Sequence, residues 1–274
     1  MKVAADTDIR MSAGNLKRLP DKSVLALLLL YAFCLLVIAG RDGWLRMPMG
    51  YVDTYWYQMC GKAWMEGLMP YQDFTDSKGP LLWFIYGLGY LISPRNMYGM
   101  MPFEILAYWI NFYVLYRAAL LVLKDTPRSL LASMAMALVY FYPGMHFEIL
   151  TEDYCQPFFS LAFYIFIQTF VKENFKNKYA LWLGISCGCT LLIKYSYFIS
   201  LTITSLLLLI YLCRRRNATG KYIGYFFVGF LSIVAPFLIY FICTGILGAF
   251  IQEYFINTAL TILEAKNIVE TGNQ

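Results

Sequence analysis

The sequence predicts an all-α, polytopic membrane protein, and three observations carry that prediction. Sixty per cent of its 274 residues are hydrophobic and only 14% are charged, against roughly 25% charged in an average soluble domain. Several apolar runs approach or exceed the roughly 17–25 residues that cross a hydrocarbon core of about 30 Å, where only helices and closed barrels satisfy their backbone groups. The runs are continuous rather than alternating in polarity, which excludes a membrane β-barrel.

The elements follow in order. Residues 1–22 are polar and are expected to form a cytoplasmic tail. The first apolar run, 23–40, follows Lys17, Arg18 and Lys22 and lacks a small-residue cleavage site, so it reads as a retained span rather than a signal peptide. Further runs occupy 80–93, 99–123, 129–145, 154–171, 178–194, 196–213 and 222–243, and no long internal repeat relates them. Lys124 with Arg128, then Lys172, Lys176 and Lys178, then Arg214, Arg215, Arg216 and Lys221 make basic loops, whereas Glu148, Glu152 and Asp153 make an acidic one.

Charge decides the topology. With a cytoplasmic N-terminus and every run crossing, the Lys124/Arg128 and triple-arginine loops face outward and the acidic loop inward, against the positive-inside rule. At roughly 1.5 Å per residue the run 80–93 reaches only about 21 Å, and Pro80 and Pro94 bracket it. If it lies in the interface or re-enters, every basic loop falls inside. The expectation is therefore seven crossings within a module at 23–243 of the cytoplasmic membrane. Outer loops at 41–79 and 144–153 share the non-cytoplasmic face, and an extracytoplasmic segment follows at 244–274.

The net charge of +5 sits in short clusters beside apolar runs, so no nucleic-acid partner is implied. Seven cysteines is an odd count, five of them lie in or at the ends of apolar runs, and no disulfide framework is suggested. Cys187 and Cys189 point roughly 200° apart on a helix, which argues against a metal pair.

The longest polar interruption, Gly50 to Leu82, concentrates carboxylates, a lysine and aromatic residues. Within it Tyr55–Leu68 is amphipathic at helical spacing, Trp56, Cys60, Ala63 and Trp64 forming one face and Gln58, Lys62 and Glu66 the other. Asp53 and Thr54 are expected to cap its start and Gly67 to stop it, and the helix is expected to lie on the membrane with its tryptophans at head-group depth.

Asp53 reads either as an N-cap worth about 1 kcal/mol or as a general base or metal ligand facing outward, and the two are compatible. Asp73, Asp76 and Lys78 form either a solvated loop, with an exposed ion pair worth at most about 1 kcal/mol, or a site where the lysine snorkels to phosphate height. In the second loop His146, Glu148, Glu152 and Asp153 precede Gln156 and Pro157; acidic groups favour a helix start, yet two acidic clusters on one face also suit a divalent cation. Glu104 and Lys194 are costly within spans and are placed near the outer ends of their helices, whereas Arg117 is placed toward the inner end. Asn217-Ala218-Thr219 follows three arginines and is discounted as a glycosylation site.

The string Asp53, Tyr57, Gly61, Gly67, Pro70, Tyr71, Asp73, Asp76, Lys78, Gly79, Pro80 and Leu81 resembles the first outer loop of GT-C membrane glycosyltransferases, in the branch of protein O-mannosyltransferases and the aminoarabinose transferase of lipid A. Glu152, Asp153 and the Lys194-Tyr195 pair extend the likeness, which covers roughly 40–245 as an architecture. The resemblance implies sugar transfer from a polyprenyl-phosphate donor to a protein, lipid or glycan acceptor. It makes Asp53 the catalytic acidic residue, Lys78 the phosphate contact, and Glu152 or Asp153 a metal ligand or substrate-orienting residue. Tyr57, Asp73, Asp76, Lys78, His146 and Lys194 are the expected substrate-binding residues; a divalent ion (Mg, Mn or Zn) would sit on Glu152 and Asp153. The chain carries Thr54 where many relatives have a second acid and Ser77 where some have glutamate, which bears on the metal. Such proteins usually continue further, so the chain is expected to be an N-terminal portion.

On this reading an inverting displacement uses a carboxylate base, and the surface between 80–93 and 99–123 holds the prenyl tail. Two rivals are a transporter or flippase, which would favour repeated halves and charges near the midplane, and a non-catalytic subunit.

Overall fold

Residues 21–39, 52–141, 151–173, 175–216, 219–261 and 263 are described by the structure, a computed structural model. Nine helices with short connections dominate these residues: α1 (Asp21–Ala39), α2 (Val52–Met65), α3 (Pro80–Ile92), α4 (Met101–Leu123), α5 (Thr126–Ala135), α6 (Thr151–Lys172), α7 (Asn177–Ile193), α8 (Tyr195–Arg216) and α9 (Thr219–Cys243). A short α10 (Leu247–Phe250) runs into a π-helical segment, Ile251–Asn257. Among the described residues the extended backbone amounts to one isolated bridge between Pro70 and Phe74.

Local chemistry sets the boundaries. Pro80 and Pro102 lie in the first turns of α3 and α4, where a missing N–H costs no helical bond. Lys124 closes α4 in the left-handed region (φ 56°), and the Asp125 carboxylate then caps α5 by accepting from the Arg128 N–H at 2.8 Å. Gly67, at φ 98°, ends α2: its N–H bonds the Trp64 carbonyl and that of Leu68 the Ala63 carbonyl, the paired pattern of a glycine-terminated helix.

Five described helices are long and apolar enough to cross a membrane, in the stretches Asp21–Ile38, Met97–Leu123, Thr151–Lys172, Tyr195–Arg214 and Gly220–Cys243. The expected seven included two marginal runs. In 129–145 the α-helix stops at Ala135 and tightens into a 3-10 turn, Met136–Phe141, with the following residues outside those described. The other, α7, has 17 residues and is the most enclosed helix. Its partner is α9: a Cβ on Gly184 would run into the Phe226 carbonyl, and one on Gly229 into the Leu181 carbonyl. Small residues let these two backbones touch, which is how membrane helices gain contact without a hydrophobic drive.

The short α3 does not traverse the bundle. Its N-terminus is tied to the end of α7, Gly79 N–H donating to the Ile193 carbonyl at 2.9 Å. Its C-terminal end packs at Gly89 against Gly99, in the turn that opens α4. Tyr108 in α4 donates to Asp153 near the start of α6 at 2.8 Å, so the starts of α3, α4, α6 and α8 and the end of α7 share one end of the molecule.

Two expectations for α2 need correction. The helix begins at Val52, so Asp53 sits inside the first turn, where its charge complements the helix dipole rather than capping the end. Its buried face is Thr54, Tyr57, Cys60 and Gly61, with Trp56 41% exposed. The cause is α3, which crosses so closely that a Cβ on Gly61 would meet the backbone of Tyr86 and Gly87. One face of α2 is therefore committed to protein rather than to lipid. The opposite face behaves as its sequence suggests: Lys62 and Glu66 lie 3.8 Å apart and exposed, and Tyr90 donates to Glu66 at 2.8 Å.

Candidate functional site

The loop between α2 and α3 folds back on itself before it delivers Lys78. Asp73 accepts from the Met69 N–H at 2.6 Å, and the Tyr71 N–H, from a residue at φ 66°, bonds the Phe74 carbonyl at 2.8 Å. The Tyr71 ring is buried against Trp83, Phe250 and Phe241, and its hydroxyl donates to the Lys78 carbonyl at 2.9 Å. An aromatic anchor thus positions the backbone of the lysine. Asp73, expected to contact substrate, is an exposed residue whose carboxylate closes the turn.

Beyond this anchor, Asp76 accepts from the Ser77 N–H at 2.5 Å and lies 3.7 Å from Lys78 Nζ. Lys78 Nζ also donates to Ser77 Oγ at 3.2 Å and stands 5.6 Å above the Tyr57 ring. Gly79 makes the docking possible, since a Cβ there would collide with the Leu192 carbonyl. With that contact formed, Lys78 and Lys194 line one cavity of about 390 Å³, together with Asp76, Ser77, Tyr195 and Ser196.

Lys194 itself donates to Glu152 Oε1 at 2.7 Å, and Thr151 Oγ1 donates to the other carboxylate oxygen, also at 2.7 Å. Tyr57 lies within the field of three carboxylates, Asp53, Asp76 and Glu152. Its phenol is held well above the ordinary value of 10.0, first by burial and then by the negative charges of Asp53, Asp76 and Glu152, with a hydrogen bond to Asp53 adding to the effect. A neutral phenol is thus kept as a donor beside three carboxylates. Behind it, burial pushes the Cys60 thiol up to about 12, which makes it an inert packing group rather than a nucleophile.

The structure therefore brings together Asp53, Tyr57, Asp76, Lys78, Glu152 and Lys194. His146 lies outside the described residues. Asp153 turns away from Glu152 into the interior, where it is 4% exposed and accepts from Tyr108. The donor set expected for a divalent ion does not fit one: Glu152 is engaged by an ammonium, Asp153 by a buried phenol, and among the described residues no three His, Cys, Asp or Glu side chains converge.

A second cavity, of about 450 Å³ and almost wholly apolar, opens beside the first between α3, α4, α6 and α7. Leu81, Ile85, Leu106, Ile110, Phe158 and Ile193 are among its walls. It lies where the surface between 80–93 and 99–123 was expected to form a groove. Leu81 and Ile193 flank the Gly79–Ile193 hydrogen bond on the apolar side, as Lys78 and Lys194 do on the polar side.

Residues 77–240, more than half the chain, match the family described as dolichyl-phosphate-mannose-protein mannosyltransferase. The chain belongs to that family. No curated protein and no solved structure matches it. Membership of the mannosyltransferase family, together with the apolar helices, makes the chain a multi-pass membrane glycosyltransferase. The matched region includes Lys78, Glu152, Asp153 and Lys194 but begins after Asp53 and Tyr57.

Residues that the sequence reading missed also line the lysine pocket: Glu253, Asn257, Thr258 and Thr261. They follow the last long apolar run and carry no motif. Tyr108 was missed as the partner of Asp153, for a tyrosine in an apolar helix looks like any other core aromatic.

Proposed function

We propose that the chain transfers a sugar from a polyprenyl-phosphate donor to an acceptor hydroxyl at the extracytoplasmic face of the cytoplasmic membrane. The observation that carries this reading is the pairing of two unlike cavities. A pocket lined by Lys78 and Lys194 sits directly beside an apolar groove, with the Gly79–Ile193 contact between them. A lipid phosphate has the same two-part chemistry.

In the proposed reaction the acceptor oxygen attacks the anomeric carbon from the face opposite the phosphate. The new carbon–oxygen bond forms as the bond to the phosphate oxygen breaks, so the sugar's configuration inverts. Asp53 takes the acceptor's proton. The departing polyprenyl phosphate leaves with its negative charge met by the two ammonium groups, which act as point charges on the leaving oxygen. Glu152 positions Lys194, and Tyr57 orients Asp53 by donating to it. No step runs through a metal ion.

The test uses purified, membrane-reconstituted protein with polyprenyl-phosphate mannose and with other polyprenyl-phosphate sugars. Transfer from at least one of them is expected, and Asp53→Asn is expected to lower it by at least about 100-fold, the usual size of a lost general base. Unchanged turnover in a folded Asp53→Asn protein removes the base assignment. Transfer from a sugar nucleotide but from no lipid-linked sugar removes the donor assignment.

A further inference from the structure

Glu253 lines the same pocket as both lysines, on a segment expected from the sequence only to be extracytoplasmic. We propose that the π-helical segment Ile251–Asn257 is the sugar-recognising wall of this pocket, with Glu253 and Asn257 as specificity-determining contacts to hydroxyl groups of a neutral pyranose. The inference rests on the lipid-phosphate reading of the lysine wall and adds to it a site for the sugar.

Placement comes first. Glu253, Asn257, Thr258 and Thr261 recur at helical spacing, so they share one face, and that face lines the cavity that Lys78 and Lys194 also line. The segment is held rigidly. Tyr254 is fully buried, donates to the Leu191 carbonyl at 2.5 Å, stacks on Phe250 at 5.5 Å, and meets Tyr195 edge-on at 6.3 Å. The wall is thereby fixed to the end of α7 and to the residue following Lys194. Its widened i to i+5 turns, of a kind that recurs at functional sites, are bridged by Gln252 Nε2 donating to Asn257 Oδ1 at 2.9 Å.

Chemistry comes second. A carboxylate accepts from two hydroxyls, and an amide whose oxygen is already engaged keeps its N–H donors for a hydroxyl oxygen. Thr258 and Thr261 spend their protons on the carbonyls of Glu253 and Asn257 and present oxygens as acceptors. This mixed surface suits a polyol and not an anion. The charge layout also orients a ligand with two unlike ends: Asp76 on the lysine wall is already paired with Lys78, whereas the negative charge of Glu253 repels a phosphate toward the lysines. A phosphate then lies on one wall and uncharged hydroxyls on the other. A pocket of about 390 Å³ is within the size range of small-molecule sites, roughly 300–1,000 Å³.

The experiment measures binding of two probes to the full chain in lipid nanodiscs: polyprenyl phosphate without a sugar, and polyprenyl-phosphate mannose with its glucose and galactose counterparts. Wild-type protein is expected to bind at least one sugar-bearing lipid more tightly than the bare lipid phosphate. Glu253→Gln and Asn257→Ala are each expected to weaken the sugar-bearing lipid about tenfold, the worth of a charge-assisted or neutral hydrogen bond lost at a buried site. Binding of the bare lipid phosphate is not weakened by either change, and is expected to tighten in Glu253→Gln as a repelling charge is removed, which also reports an intact fold. Equal wild-type affinity for bare and sugar-bearing lipids overturns the sugar wall, as does an equal loss for both probes in Glu253→Gln. If wild-type protein binds none of these lipids, or Lys78→Ala leaves all of them bound, the lipid-phosphate reading of the pocket fails first and the sugar wall falls with it.

Discussion

Lys194, between α7 and α8, places its Nζ 2.7 Å from Oε1 of Glu152 in the first turn of α6. One ion pair therefore ties three helices together at the end of the bundle where the polar cavity opens. Each side chain is about one-third exposed, so the pair is screened less than a surface bridge and more than a core one. Lys194→Ala is expected to destabilise the protein by about 1–3 kcal/mol, because Glu152 is left with its charge unmet. Adding Glu152→Gln to that variant is expected to restore part of the loss, with a coupling of about 0.5–3 kcal/mol. Thermal unfolding of the two single variants and the double variant measures it, and strict additivity contradicts the geometry.

Gly79 supports a sharper prediction. Its Cβ-free backbone lets the Lys78 loop dock on Leu192 and Ile193, and Gly79→Ala pushes that loop off the end of α7. Because the helices on either side are untouched, circular dichroism is expected to keep its helical signal. Binding of polyprenyl phosphate is expected to fall at least about tenfold, as the two lysines part. Retained binding in the alanine variant shows that the loop docks some other way.

Tyr57 yields a pH dependence whose sign follows from burial. Its phenol ionises in the folded protein only above the ordinary value of 10.0, so the unfolded chain loses that proton first as pH rises. The stability tied to the neutral phenol is complete below about pH 10 and declines above it. Tyr57→Phe cannot ionise, and its unfolding midpoint is expected to fall less steeply between about pH 10 and 11 than that of wild type. Parallel curves refute the assignment.

How much of this was legible depended on how rare the informative residue was. Lys78 and Lys194 stood out because a charge in an apolar chain has few affordable places, and the sign of the loops then sorted them to one end. Short length and bracketing prolines likewise marked 80–93 as a run that does not traverse. What was not legible depends on tertiary contact. The buried face of α2 is decided by the closeness of Gly61 to Gly87, so Trp56 is exposed although its hydrophobicity suggested otherwise. Asp73 belongs to the same motif as Lys78, and its turn-closing bond to the Met69 N–H depends on a loop geometry that the sequence does not spell out. Glu253 gave no signal, because a glutamate after the last long apolar run looks solvated until the fold brings it into one pocket with two lysines.

The apolar groove leads to a prediction about the lipid rather than the sugar. Its walls come from α3, α4, α6 and α7, and Ile110 lines it while remaining 40% exposed, so a larger side chain can enter the groove there without overfilling the core. Each methylene that the groove withdraws from water is worth about 0.8 kcal/mol, and less where the donor tail already lies in a bilayer, so the groove is expected to select for tail length by shape more than by desolvation. Ile110→Trp should therefore raise KM for a long-chain polyprenyl-phosphate sugar several-fold and leave kcat near wild type. A donor cut to two or three isoprene units has less tail to meet the new side chain and should be affected less. The comparison is made in detergent and again in nanodiscs, since a bilayer that already orders the tail reduces the difference. Long and short donors with the same ratio of KM values in wild type and variant would remove the groove from the donor site and leave the lysine pocket to bind a phosphate without its tail.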